Sequence, residues 1–92
     1  MQFARRLRQG VIDGEITCTI RIWMRPHVKV GGAYSLPPGK VIVDSIQQIS
    51  IQDISPELAR DSGFDGVIDL LKTAKHGRGE NVYLITFRYE GN

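Results

Sequence analysis

The last strand-like run of the chain, Asn81 to Tyr89, carries apolar or aromatic side chains on both of its faces. Val82 and Leu84, followed by Thr86 and Arg88, alternate with Tyr83, Ile85, Phe87 and Tyr89. Successive side chains of a strand point to opposite faces, so the pattern predicts a strand packed on both sides. Ninety-two residues with 41% hydrophobic content can bury one core and leave no room for a second. The expectation is therefore one domain spanning residues 1–92.

A second run, Gly14 to Gly32, reads GEITCTIRIWMRPHVKVGG. The same alternation sends Ile16, Cys18, Ile20 and Ile22 to the core and sets Thr17, Thr19, Arg21 and Trp23 in a row on the other side. Two hydroxyls, a guanidinium and an indole, followed by Lys29 and a Gly-Gly pair, suit an anionic or aromatic ligand such as a nucleotide. A solvated outer face, with threonines present for strand propensity, would give the same row. Charge is unevenly spread: residues 1–40 hold seven Arg and Lys against two acids, and residues 41–92 hold five against eight. The positive section contains the polar row, as phosphate attraction requires, although a solvated basic helix would produce the same asymmetry.

Between these runs the chain is punctuated by clear local signals. Phe3, Ala4, Leu7, Val11 and Ile12 recur at helical spacing, with Gly14 placed for a left-handed cap. Arg25-Pro26 ends the strand that follows. Ala33 to Leu36 forms a short strand bounded by Gly31-Gly32 and Pro37-Pro38-Gly39. Lys40 to Ile51 is long for one strand and predicts a bend or bulge near Gln47-Gln48. Ser55-Pro56-Glu57 starts a helix that stops at Gly63, and Asp65 can cap another over Val67 to Leu71. The order helix, strand, strand, strand, helix, helix, strand predicts an α+β fold: a small, closed or nearly closed β-barrel with flanking helices, since closure removes exposed sheet edges.

Cys18 is the only cysteine, so no intrachain disulfide is possible, and its place on the apolar face suits a small buried hydrophobe. With only His27 and His76 as histidines, no run has zinc-ligand spacing, and neither a metal nor a cofactor is expected. The start MQFARRLRQG lacks the apolar core of a signal peptide, and no apolar run of about 18 residues occurs. No membrane partner and a cytoplasmic location are the expectations.

Several of these pieces, in this order, resemble the ASCH family, the activating-signal-cointegrator homology domains, which share the PUA-like β-barrel. They are Ile12-Asp13-Gly14, Thr19-Ile20-Arg21, Val28-Lys29-Val30-Gly31, Asp61-Ser62-Gly63-Phe64 and Val82-Tyr83-Leu84-Ile85-Thr86-Phe87, covering roughly residues 10–88. The resemblance implies an RNA-related domain with a cleft beside the Thr-Ile-Arg strand, its partner being RNA or a nucleotide or nucleoside. One branch of that family hydrolyses N4-acetylcytidine with a lysine, a threonine and a glutamate. Thr19 matches the threonine, but Ile16 stands at the lysine position and Ser62, beside Asp61, at or near the glutamate. A threonine needs an adjacent base to act as nucleophile, so that activity does not carry over intact.

The ligand-binding residues implied are Thr17, Thr19, Arg21, Lys29, Tyr34 and Arg78. A hydrolase acting on RNA or on a modified nucleoside would instead use Thr19, Lys29 and Asp61 or Ser62 as its polar constellation. Each residue has a structural alternative. Arg21 could form an ion pair with Asp61 or Glu57, Lys29 could be an ordinary turn residue, and Trp23 and Tyr34 could be partly buried at a barrel rim. His76-Gly77-Arg78-Gly79 could be a plain connector, and Asp61 and Ser62 the end of a helix.

Overall fold

A computed structural model of the chain describes residues 1–74 and 80–91. In chain order the elements are helix α1 (Arg5–Ile12), strands β1 (Cys18–Trp23), β2 (Ala33–Leu36) and β3 (Gly39–Ile49), a 3₁₀ turn (Ile51–Asp53), helices α2 (Pro56–Asp61) and α3 (Val67–Ala74), and strand β4 (Asn81–Glu90). The four strands make one antiparallel sheet in the order β1-β4-β3-β2.

The strand with two apolar faces is an inner strand. β4 lies between β1 and β3, with Ile85 opposite Thr19 on one side and Ile46 on the other. Its Val82 enters a cluster with Leu7, Ile20, Ile22, Phe64 and Leu70, which the helices close. Tyr83 and Ile85 pack with Val28 and Val43, and Phe87 packs with Phe3, Val11, Leu36 and Val41. β4 is thus packed on both faces, which is why its alternation is apolar throughout its first half.

Two expectations are corrected. The sheet curls into a half-barrel and stays open, with β1 and β2 as edges that do not pair with each other. Both edge strands are short, six and four residues, and short edges already limit the unpaired backbone that closure would remove. The irregularity in β3 falls at Asp44, not near Gln47-Gln48: Val43 pairs with Phe87 and Ser45 with Thr86, leaving Asp44 without a partner residue. The side-chain spacing explains it. Val41 and Val43 point inward, and strict alternation would turn Ile46 outward; one extra residue returns Ile46 to the inner face, opposite Ile85.

The helix signals are realised by local hydrogen bonds. Ser55 Oγ accepts from the Leu58 N–H at 3.0 Å, with Pro56 in the first turn. α2 ends in a Schellman turn: the N–H of Phe64 donates to the Ala59 carbonyl and that of Gly63 to the Arg60 carbonyl, with Gly63 at φ +94°. A Cβ on Gly63 would stand 2.7 Å from Leu7 Cδ2 and 2.8 Å from Ile16 Cδ1, so space as well as φ calls for glycine there. At α3 the expected cap is reversed. The backbone N–H of Asp65 donates to the Asp69 carboxylate at 3.1 Å, so the acid in the first turn does the capping. Among the described residues no helix is long and apolar enough to cross a membrane.

Candidate functional site: a cavity beside the first strand

β1 starts at Cys18 and buries Cys18, Thr19, Ile20 and Ile22, leaving Arg21 and Trp23 half-buried. Beside this edge strand a cavity of about 380 Å³ lies between β1, the N-terminal segment and the end of α3. Its lining is mainly apolar, with Phe3, Leu7, Ile20, Trp23, Phe64 and Ala74; Gln2, Thr19, Arg21 and Thr73 supply the polar groups.

Among the described residues Arg21 is the charged group in this lining. Its Nε donates to Thr19 Oγ1 at 3.1 Å and its Nη2 to the Gln2 carbonyl at 2.5 Å, while its guanidinium lies 5.1 Å above the centre of the Phe3 ring. Phe3 is itself anchored by an edge-on contact with Phe87 at 5.4 Å, which fixes the N-terminal segment and brings the Gln2 carbonyl to Arg21. The ion pair with Asp61 or Glu57 does not form. Among the described residues the ion pairs are Arg6 with Asp69 and Arg88 with Asp44 and Glu90; none involves Arg21. Residues 75–79, KHGRG, hold no acidic side chain. Burial lowers the Arg21 pKa from its ordinary value, yet a guanidinium stays charged in proteins. The cavity therefore presents a cation satisfied by neutral oxygens and an aromatic face.

The aromatic walls come from two sources. Trp23, at the end of β1, stacks on His27 at 4.4 Å with 12° between the ring planes. Phe64 is placed by the Schellman turn after α2, and Arg6 lies 5.2 Å over its ring while pairing with Asp69 at 3.2 Å.

The other residues singled out from the sequence stand elsewhere. Thr17 precedes β1, exposed, its carbonyl accepting from the Phe87 N–H at 3.0 Å. Lys29 is exposed, and its backbone N–H donates to the Tyr34 hydroxyl at 2.9 Å; Tyr34 packs against the Val28, Val43, Tyr83 and Ile85 cluster. Asp61 is exposed at the end of α2. Thus Lys29, Tyr34 and Asp61 do not line the cavity that holds Thr19 and Arg21. Arg78 lies outside the described residues. Ser62 is buried, donates to the Leu58 carbonyl at 2.9 Å and lies 3.5 Å from Cys18 Sγ. Burial pushes the Cys18 thiol up, against the Ser62 hydrogen bond that lowers it, and the charge of Asp61 raises it further. A buried, protonated thiol is a poor nucleophile.

Phe3, Phe64, Thr73 and the Gln2 carbonyl were not among the candidate residues. For Phe64 a signal existed, because an apolar residue directly after a left-handed helix-ending glycine packs back on its own helix. For the Gln2 carbonyl there was none. Among the described residues no group of three His, Cys, Asp or Glu side chains is placed to hold a metal ion. Comparison of the chain with protein-family models, with curated proteins and with solved structures finds no match.

Proposed function

We propose that this chain is a PUA-like domain of the ASCH type that binds RNA or a nucleotide in the cavity beside β1. The supporting observation is Arg21: a cation without a carboxylate partner among the described residues, in a cavity walled by Phe3, Trp23 and Phe64. Keeping a charge out of water without an opposing charge is costly, and a ligand anion would offset that cost. Aromatic walls add base stacking, worth about 1–3 kcal/mol per base. Binding, more than turnover, suits this lining. Thr19 Oγ1 already accepts from Arg21, and no lysine, histidine or carboxylate among the described residues lines the cavity to activate it.

Fluorescence anisotropy with a short single-stranded RNA tests the reading. Arg21→Ala is expected to weaken binding at least about tenfold, as for loss of a charge-assisted hydrogen bond. Arg5→Ala, on the exposed face of α1, should weaken it far less, and affinity should fall steeply with salt. Equal losses for the two variants would reduce the cavity to one part of a diffuse positive surface. Incubation with N4-acetylcytidine should release little or no cytidine. Each positioned acid or base contributes about 10²- to 10⁴-fold, and Ile16 and Ser62 supply neither.

A further inference from the structure

Resting on that reading, we infer that the cavity takes one nucleotide unit, held through a single phosphate at Arg21, and does not act as a groove that tracks several nucleotides. Size is the first reason. At about 380 Å³ the cavity falls near the lower end of the range of about 300–1,000 Å³ for small-molecule sites, a partly open cleft lined by strand, N-terminal segment and helix. The second reason is the disposition of the guanidinium. Nε is committed to Thr19 and one Nη2 proton to the Gln2 carbonyl, while the remaining donors of the fork have no partner among the described residues. Those donors match the oxygens of one phosphate, and the Gln2 carbonyl marks a position where an acceptor oxygen already fits. The third is the apolar remainder of the lining, Leu7, Trp23, Phe64 and Ala74, which offers apolar surface to one ring and, among the described residues, adds no second charged side chain to the lining; Arg6 covers one face of the Phe64 ring.

A free mononucleotide and the phosphorylated end of an RNA share this chemistry. The test is an NMR titration of the whole chain, following the indole N–H of Trp23, the only tryptophan, and the Nε–H of Arg21. The probes are uridine, UMP, AMP, and a uridine trinucleotide with and without a 5′-phosphate. UMP or AMP should bind at least about tenfold more tightly than uridine, as a charge-assisted contact implies. Arg21→Ala should remove the preference for UMP over uridine. If the phosphorylated trinucleotide binds like UMP and the unphosphorylated one does not, the natural ligand is a chain end; if only the mononucleotides bind, it is a free nucleotide. Uridine binding as tightly as UMP would overturn the inference, as would affinity that rises steadily with chain length while mononucleotides fail to bind. Both of those results leave RNA or nucleotide binding standing. Absence of binding by every probe and by longer single-stranded RNA would overturn both. Should Arg21→Ala fail to fold, the wild-type ranking of uridine against UMP decides the matter alone.

Discussion

Arg21 and Arg88 stand on neighbouring strands of one sheet and are satisfied in opposite ways. Arg88 is exposed, its Nη1 against Asp44 and its Nε 3.3 Å from Glu90. Arg21 is half-buried and meets a hydroxyl, a carbonyl and a phenyl ring. Exposed ion pairs contribute about 0–1 kcal/mol, because water already solvates both partners. A desolvated cation without an acid partner earns no such offset within the protein. Among the described residues the ion pairs lie on exposed arginines, where charge is structurally incidental; Arg21 differs from the other arginines without one in being half-buried, which marks where a ligand would matter.

If the Arg21 end is held by packing and the Arg88 end by exposed charge, the largest loss of stability should come from a cavity wall. Phe64→Ala removes a ring that packs with Leu7, Ala59 and Leu70, and is expected to cost about 3–5 kcal/mol in urea unfolding. A cost below about 1 kcal/mol would mean that this end relaxes freely and that the cavity is not a rigid feature. Arg21→Leu keeps the apolar stem and deletes the charge. Its unfolding free energy should stay within about 1 kcal/mol of the parent while nucleotide binding is lost, since replacing a buried charge by an apolar group is often neutral or favourable. A large loss of stability would make Arg21 a structural residue and dissolve the contrast. Arg88→Ala should cost no more than about 1 kcal/mol at low salt and almost nothing at high salt, with RNA binding unchanged.

The smallest effect concerns the other exposed pair, Arg6 with Asp69. The Asp69 carboxylate is held below its ordinary value first by the Asp65 backbone N–H; desolvation, the next effect in size, opposes this, and the hydrogen bond and charge of Arg6 and the charge of Lys72 lower it further. A carboxylate with a lowered folded-state pKa contributes stability above its unfolded value, and that contribution is lost as pH falls through the folded value. Thermal melting measured from neutral pH downward should show the parent losing its advantage over Asp69→Asn below the ordinary aspartate range. Parallel curves for the two proteins would show that this cap contributes nothing.

Much of this molecule could be read locally. Ser55, Pro56 and Gly63 marked the limits of α2 because caps and left-handed turns depend on a few adjacent residues. The alternation in β4 was legible for a similar reason, the period of two being a property of the strand itself. The face of β1 was legible only in part: Cys18 and Ile20 are buried, but so is Thr19, and Ile20 lines the cavity together with Thr19 and Arg21. The bulge was misplaced because local propensity around Gln47-Gln48 says nothing about which inner-face position Ile46 must reach. Only pairing with β4 sets that.

The sequence by itself determined the succession of helices and strands, the inward row on β1 and the positive first part of the chain, because each is fixed by neighbours in the chain or by composition. Tertiary structure decided what surrounds Arg21. A carbonyl from Gln2 and a ring from Phe3 converge on it and Phe64 lines the same cavity, while Lys29 and Asp61 are carried elsewhere. Those distances depend on how the N-terminal segment and the α2–α3 pair pack on a sheet whose strands are distant in sequence, and no residue pattern near Arg21 encodes them.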